Sequence, residues 1–381
     1  MPTPPRLTPR RTPSRPFLVG AAVASLALLA GGAAIPSDAQ LTAAGTTTAA
    51  RVVAPTASNP RNPLAGRPWG VYKGGSDMAW KPYVNATGTT KTLLGKIALR
   101  PKAGWFGKWI INAAIADKVK KYVAISQDGN PDALVQLTVF RMVPWEHKAC
   151  NRLPTTAEVA SYKQWINRFA GALGNAHVAL VLQPDGPFAM CVPKNSTVPS
   201  RLIAYAAKRF SEQSNTSVYI DGGASDWPAH HPERAAAFLV ADGIKYVRGF
   251  ALNSTHYSTT GANIDYGTQV VAQLAKRGVP GKHFIISTSS NGRGFTFSKA
   301  RGSDPDNAKT CATKAERVCV TLGIPPTADV DNPKWKLTAA RTKAAAKHVD
   351  GYLWFGRPWL VRQASPFSTA RALNMARTTP F

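Results

Sequence analysis

The chain has 381 residues, 44% hydrophobic and 18% charged, which excludes wholesale disorder and a coiled coil. Lys plus Arg number 47 against 20 Asp plus Glu, a formal net charge of +27. That bias implies anionic surroundings and makes the position of each carboxylate informative. At about 150 residues per domain the naive count is two or three, but a β/α barrel runs ~250 residues or more as one domain.

In chain order, Arg6, Arg10, Arg11 and Arg15 precede an apolar run from Phe17 to Ile35, followed by Ser37-Asp38-Ala39. This layout predicts a signal peptide over residues 1–39, cleaved after Ala39. A membrane anchor is the alternative, disfavoured by Gly31-Gly32 and the alanine content, so no stable span is expected after cleavage. Arg10-Arg11 hints at twin-arginine export, which the surrounding residues fit poorly. Cleavage would remove four arginines and one aspartate, so the basic bias belongs to the remainder. Residues 40–61, rich in Ala, Thr and Pro, read as a flexible linker. A single domain over residues 62–381 follows.

Within it, short apolar runs alternate with amphipathic stretches. Ile97–Trp105 is a possible first strand. Ala133–Val143 is the next, followed by a helix over Thr156–Leu173 that a capping box, Thr155 to Glu158, should open. His177–Leu182 is a buried strand ending in Gln183-Pro184-Asp185, and Ser200 is expected to cap a helix over Arg201–Glu212. Strand Ser217–Ile220 ends in Asp221, with a helix over Pro232–Ala241. Strand Tyr246–Leu252 ends in Asn253, with a helix over Tyr266–Arg277. Strand His283–Ser287 ends in the Ser289–Gly292 turn, and Asp350–Phe355 is the last strand. About seven strands separated by helices imply a parallel sheet. Closed into a distorted seven-stranded β/α (TIM-like) barrel, they put Asp185, Asp221, Asn253 and Asn291 on one face. The alternative, an open doubly wound sheet, lacks its Gly-rich phosphate loop.

Asp185 lies between Pro184 and Gly186-Pro187-Phe188. Apolar walls disfavour a charged carboxyl and raise its pKa, so it can protonate a leaving oxygen near neutral pH. Its bland alternative is an N-cap on a following helix. Asp221, before Gly222-Gly223, offers a second carboxylate, or else a structural Asp that hydrogen-bonds its loop. Tryptophans spread over loops and strand ends suit the flat C–H faces of pyranose rings, Trp105 and Trp227 best. Of the four cysteines, Cys311 and Cys319 are eight apart and can staple a loop, while Cys150 and Cys191 follow neighbouring strand ends; export permits both disulfides. No CxxC or HExxH occurs, so neither metal nor cofactor is expected.

These motifs resemble glycoside hydrolase family 6, the inverting cellulases and cellobiohydrolases. Leu182–Asp185 is similar to the family's Glu-Pro-Asp, whose Asp is the general acid. Tyr219-Ile220-Asp221-Gly222-Gly223-Ala224-Ser225-Asp226-Trp227 resembles its Tyr-Leu-Asp-Ala-Gly-His-x-x-Trp signature. Gly249–Ser254, Ser287–Gly292 and Tyr352–Trp354 match its later strands. The resemblance spans Asn62–Phe381 and implies the seven-stranded barrel and cleavage of β-1,4-glucan, with Asp185 and Asp221 as catalytic residues. It also implies substrate contacts from Trp105, Trp227, Asn253, Asn291, Trp354 and Arg357, the last matching a sugar-binding Lys. The sequence departs from the pattern at several places, Val318 in place of a Trp and a short loop after Cys150 among them. Lys148-Ala149-Cys150 lacks the Asp that supports the acid, where Glu146 is the candidate auxiliary acid. Ala224 replaces the signature His. No Asp or Glu occurs from Gly351 to Phe381, where the family's proposed base belongs. Slow or altered turnover is therefore expected. The alternatives are a carbohydrate-binding relative without turnover and a hydrolase of another, anionic cell-envelope glycan. The expected partner is a polysaccharide, with retention on acidic cell-wall polymer, no nucleic acid, and a secreted monomer.

Overall fold

A computed structural model describes residues 62–228, 231–300 and 304–381; the expected signal peptide and linker lie outside them. Seven strands form one parallel sheet in sequence order: β1 (Gly104–Gly107), β2 (Val135–Phe140), β3 (Val178–Leu182), β4 (Thr216–Asp221), β5 (Gly249–Leu252), β6 (His283–Ser287) and β7 (Val349–Leu353). Nine α-helices accompany them among the described residues: α1 (Trp80–Asn85), α2 (Gly88–Ala98), α3 (Ile115–Gln127), α4 (Thr156–Leu173), α5 (Val198–Ser211), α6 (Pro232–Ala241), α7 (Thr260–Lys276), α8 (Ala339–His348) and α9 (Thr369–Thr378).

Side chains alternate across a strand, so each strand feeds two cores. Ala179, Val181, Tyr219, Ala251, Ile285 and Leu353 face the lumen with Leu64. Val178, Leu180, Leu182, Val218, Ile220, Phe250, Leu252, Phe284 and Ile286 face the surrounding helices. Burial on both faces explains why β3 reads as an unbroken apolar run. α4 buries Tyr162, Trp165, Ile166, Phe169, Ala170 and Leu173, an apolar stripe at helical spacing. Its reciprocal Thr155–Glu158 capping box forms as the spacing predicts.

Four expectations need correction. Residues before β1 are helical: Leu94, Ile97 and Ala98 of α2 pack against Ala372, Met375 and Ala376 of α9, a partner invisible to local pattern. Lys102 closes that helix by donating to the carbonyls of Ile97 (2.8 Å) and Ala98 (3.2 Å). Ser200 lies inside α5, which starts two residues earlier behind Thr197. Residues Ile244–Tyr246 form a separate 3₁₀ turn before β5, and α7 starts earlier than expected, capped by the Thr259 side chain.

The sheet curls into a half-barrel, and β1 and β7 share no ladder. The seam is crossed at the tip end instead. Ala103 N–H donates to the Trp354 carbonyl (2.9 Å), and Trp105 Nε1–H donates to that of Phe355 (2.7 Å). Away from the tips, buried Asp350 accepts from Tyr219 Oη (2.8 Å) and from Arg248 Nε and NH2 (2.8 Å each). One polar cluster thereby ties β4, β7 and the segment before β5 across the lumen.

Candidate active site

The polar residues after the strands are held in backbone conformations that side chains rarely adopt. Gln183, Asp185 and Asn253 have φ of 55°, 64° and 68°, and Glu146 has 54°. Left-handed geometry at several neighbouring tips, in non-glycine residues, marks a surface whose shape is fixed from outside the local chain. At the β3 tip, Gln183 Oε1 accepts from Met142 N–H (3.1 Å) and the Pro184 carbonyl accepts from Trp145 Nε1–H (2.8 Å). The Cys150–Cys191 disulfide joins the loops after β2 and β3. Cys311–Cys319 closes a loop between β6 and β7.

Asp185 is half-buried, and Thr255 Oγ1 donates to its Oδ1 at 2.9 Å. It stands at the cap position of the Gly186–Met190 3₁₀ turn but makes no cap hydrogen bond, so the bland alternative does not describe it. Burial pushes its carboxyl up to about 7, and the neighbouring Asp221 and Glu146 charges add to the rise; Thr255 and His256 pull the other way. Glu146 itself is exposed, on the loop that follows β2.

Asp221 is 1% exposed and fully engaged. Its Oδ1 accepts from the backbone N–H of Gly186 (3.0 Å) and Gly223 (2.9 Å), and its Oδ2 accepts from the Ser254 hydroxyl. Burial raises its pKa to about 6 against those hydrogen bonds. Both oxygens of this carboxylate are thus engaged, and through Gly186 it holds the Asp185 loop. The glycines serve the same junction. A Cβ at Gly186 would lie 2.1 Å from the Asp221 carbonyl, and one at Gly223, which has φ +86°, 2.1 Å from that of Trp227. Protein backbone, not a ligand, approaches Gly223.

Trp227 is half-buried and stacks on His256 (5.3 Å, 4°), which stacks in turn on Phe297 (4.4 Å, 21°). His256 Nδ1 lies 2.9 Å from Asp226 Oδ1, and Asp226 Oδ2 accepts from Phe297 N–H (2.6 Å). Although burial opposes it, the bond with His256 holds the Asp226 carboxyl below its usual value. Thr255, His256 and Asp226 were not singled out from sequence. The polar run Ser254-Thr255-His256 directly after a buried strand tip was the available signal.

On the seam side a cavity of about 590 Å³ opens between β1 and β7, lined by Trp105, Trp109, Lys102, Asp77, Trp354 and Arg357 among others. The Arg357 guanidinium lies 4.1 Å from the Trp105 ring centroid. Burial without a facing acid lowers the Arg357 pKa to about 9. Trp354 is 2% exposed and gives its indole N–H to the Ile324 carbonyl (3.0 Å), so it forms wall rather than platform. Asn253 and Asn291 turn inward. Asn253 donates to the Ser287 carbonyl (2.9 Å) and accepts from Ser258 N–H (3.1 Å), while Asn291 donates to the Ser258 carbonyl (2.9 Å). Both pin loops together instead of facing the cleft, because the backbone groups of three adjacent tips need partners. The structure thus brings together Asp185, Thr255, Glu146, Trp227 and His256 on one side, and Trp105 with Arg357 at the seam.

The sequence profile of the glycosyl hydrolases family 6 matches residues 74–355. Endoglucanase 1 of Streptomyces halstedii is 30% identical over 222 residues, 58% of this chain and 67% of its own length. Endoglucanase A of Cellulomonas fimi is 31% identical over 232 residues, 59% of this chain. The chain spans 47% of that second relative's length. Among solved structures, the endoglucanase Cel6 of Mycobacterium tuberculosis, in complex with methyl-cellobiosyl-4-deoxy-4-thio-β-D-cellobioside, aligns with a TM-score of 0.66 at 26% identity. That alignment covers 83% of this chain and 99% of that one. The catalytic core domain of the cellobiohydrolase Cel6A of Chaetomium thermophilum aligns over 84% of this chain and 98% of its own with a TM-score of 0.60 at 17% identity, a likeness of fold. With a profile match over most of its length and the same half-barrel, the chain belongs to glycoside hydrolase family 6.

Proposed function

We propose that this glycoside hydrolase is exported and cleaves β-1,4-glucan with inversion, Asp185 acting as the general acid. The observation that carries this reading is the Asp185 carboxyl itself: half-buried, raised to about 7, and bonded only by the Thr255 hydroxyl at the tip end of the sheet. A group so placed holds its proton at neutral pH and can pass it to the bridging oxygen as the C1–O bond breaks. Water adds to C1 from the opposite side and loses its proton to solvent, giving two sugar hydroxyls. Glu146 is the auxiliary acidic residue, adding to the rise of the Asp185 pKa. Asp221 acts as a positioning residue through Gly186. Trp227, and Trp105 with Arg357, are the sugar contacts on either side. The glucan substrate is supported by the endoglucanase relatives and by the thio-cellobioside held by the Mycobacterium tuberculosis enzyme.

Export is supported by the layout of residues 1–39 and by two disulfides, which persist in oxidising compartments. No helix among the described residues is long and apolar enough to cross a membrane. The absence of any Asp or Glu from Gly351 to Phe381 favours slow turnover, since one missing acid–base group costs ~10²–10⁴ in rate. The test is reducing-sugar release from soluble β-glucan, with the anomer formed first read by NMR. Release of the α-anomer is expected. A β-anomer would overturn inversion, and sugar binding without release would favour a carbohydrate-binding protein.

A further inference from the structure

The seam cavity contains four charged side chains, Lys102, Lys118, Arg357 and Asp77. The single acid is already spent: Asp77 pairs with Lys102 at 3.0 Å, both nearly buried. Arg357 has no such partner. No ion pair or side-chain hydrogen bond reaches its guanidinium among the described residues, and its Nε is buried and unbonded. Arg248, just before β5, is by contrast satisfied by a two-bond contact to Asp350. Arg357 is half-buried, with Nε enclosed, and each orphaned polar group in a cavity asks what completes it. Burial has already weakened the hold of Arg357 on its proton.

The seat of that cation bears on the ligand. At 4.1 Å from the ring centroid, Arg357 covers one face of Trp105, in the arrangement of a cation–π pair. An anionic group on the sugar would supply the missing partner, and the planar fork of arginine matches a carboxylate with two parallel hydrogen bonds. The absence of acids from Gly351 to Phe381 leaves that segment no internal competitor.

We propose that the subsite at Trp105 and Arg357 takes a sugar carrying a carboxylate, so that the preferred substrate is a β-linked glycan containing uronate residues. This deepens the hydrolytic reading above and rests on it. It gives the basic chain a reason to be basic at the site and not only at its surface.

The test compares two probes on the full chain by calorimetry: cellotetraose and the β-1,4-linked glucuronate tetramer. The uronate is expected to bind about tenfold more tightly at low salt, one ion pair's worth of discrimination. The advantage should shrink as salt rises, while binding of the neutral probe barely moves. That salt comparison needs no variant. Arg357→Gln should abolish the preference and Arg357→Lys restore part of it, with thermal melts confirming that both fold. Equal or weaker binding of the uronate by the wild-type chain overturns the proposal, as does an unchanged preference in Arg357→Gln. Hydrolysis separates the two readings. Cleavage of neutral glucan without an anionic preference sinks only this subsite assignment. A uronate preference with cleavage of neither probe upholds the subsite and sinks the hydrolase reading.

Discussion

Replacing Asp185 by Asn keeps the shape and the Thr255 contact but removes the transferable proton. With a pKa near 7, the native carboxyl is about 90% protonated at pH 6, half protonated at pH 7 and one-tenth protonated at pH 8. The alkaline limb of kcat/KM for glucan should therefore bend near pH 7 and fall tenfold per unit above it. Asn cannot donate, so kcat on glucan should drop by ~10²–10⁴, or roughly 3–5 kcal/mol in barrier. A leaving group that departs without a proton tests the assignment, because it does not need the acid. With 2,4-dinitrophenyl cellobioside the loss should be less than about tenfold, and the limb near pH 7 should be gone from the variant's profile on both substrates. Equal losses on glucan and on the dinitrophenyl glycoside would rule out Asp185 as the general acid, as would a surviving limb in Asp185→Asn.

Asp221→Asn deletes a like charge beside Asp185, so the alkaline limb of the pH profile should move below pH 7; a merely structural loss would lower kcat and leave the limb in place. Asp242, wholly buried and raised to about 8, binds its proton more tightly folded than unfolded between about pH 4 and 8, so its contribution to stability falls as pH rises through that window. The melting temperature of Asp242→Asn, followed from pH 5 to 8, should consequently decline less steeply than that of the wild-type chain. Opening the 41-residue Cys150–Cys191 loop with Cys150→Ser and Cys191→Ser together should cost about 4 kcal/mol in chemical denaturation. The Asp185 loop, tied to the β2 loop by that bridge, should lose activity below the temperature at which the barrel melts.

Local pattern carried far where neighbours in sequence are neighbours in space. α4, α6 and β6 begin and end where periodicity and capping predict, because a capping box or an unbroken apolar run answers to the next few residues. The tip sequence Pro184-Asp185-Gly186-Pro187 likewise marked a carboxyl held against apolar walls. The helical stretch before β1 was not legible, since its apolar face is completed by α9, more than 270 residues further along.

The order of residues along the chain sets the alternation of strand and helix, the parallel sheet, the two disulfide spacings and the identity of the polar residue at each tip. Which way those residues face depends on packing between segments far apart in the chain. Asp221, Asn253 and Asn291 were drawn inward by backbone groups from other loops, while Asp185 was left with one hydroxyl and Arg357 with an indole face. Orientation at a strand tip is set by hydrogen-bond partners and burial contributed from distant segments, and these come into being only when the sheet curls and leaves its seam open between β1 and β7.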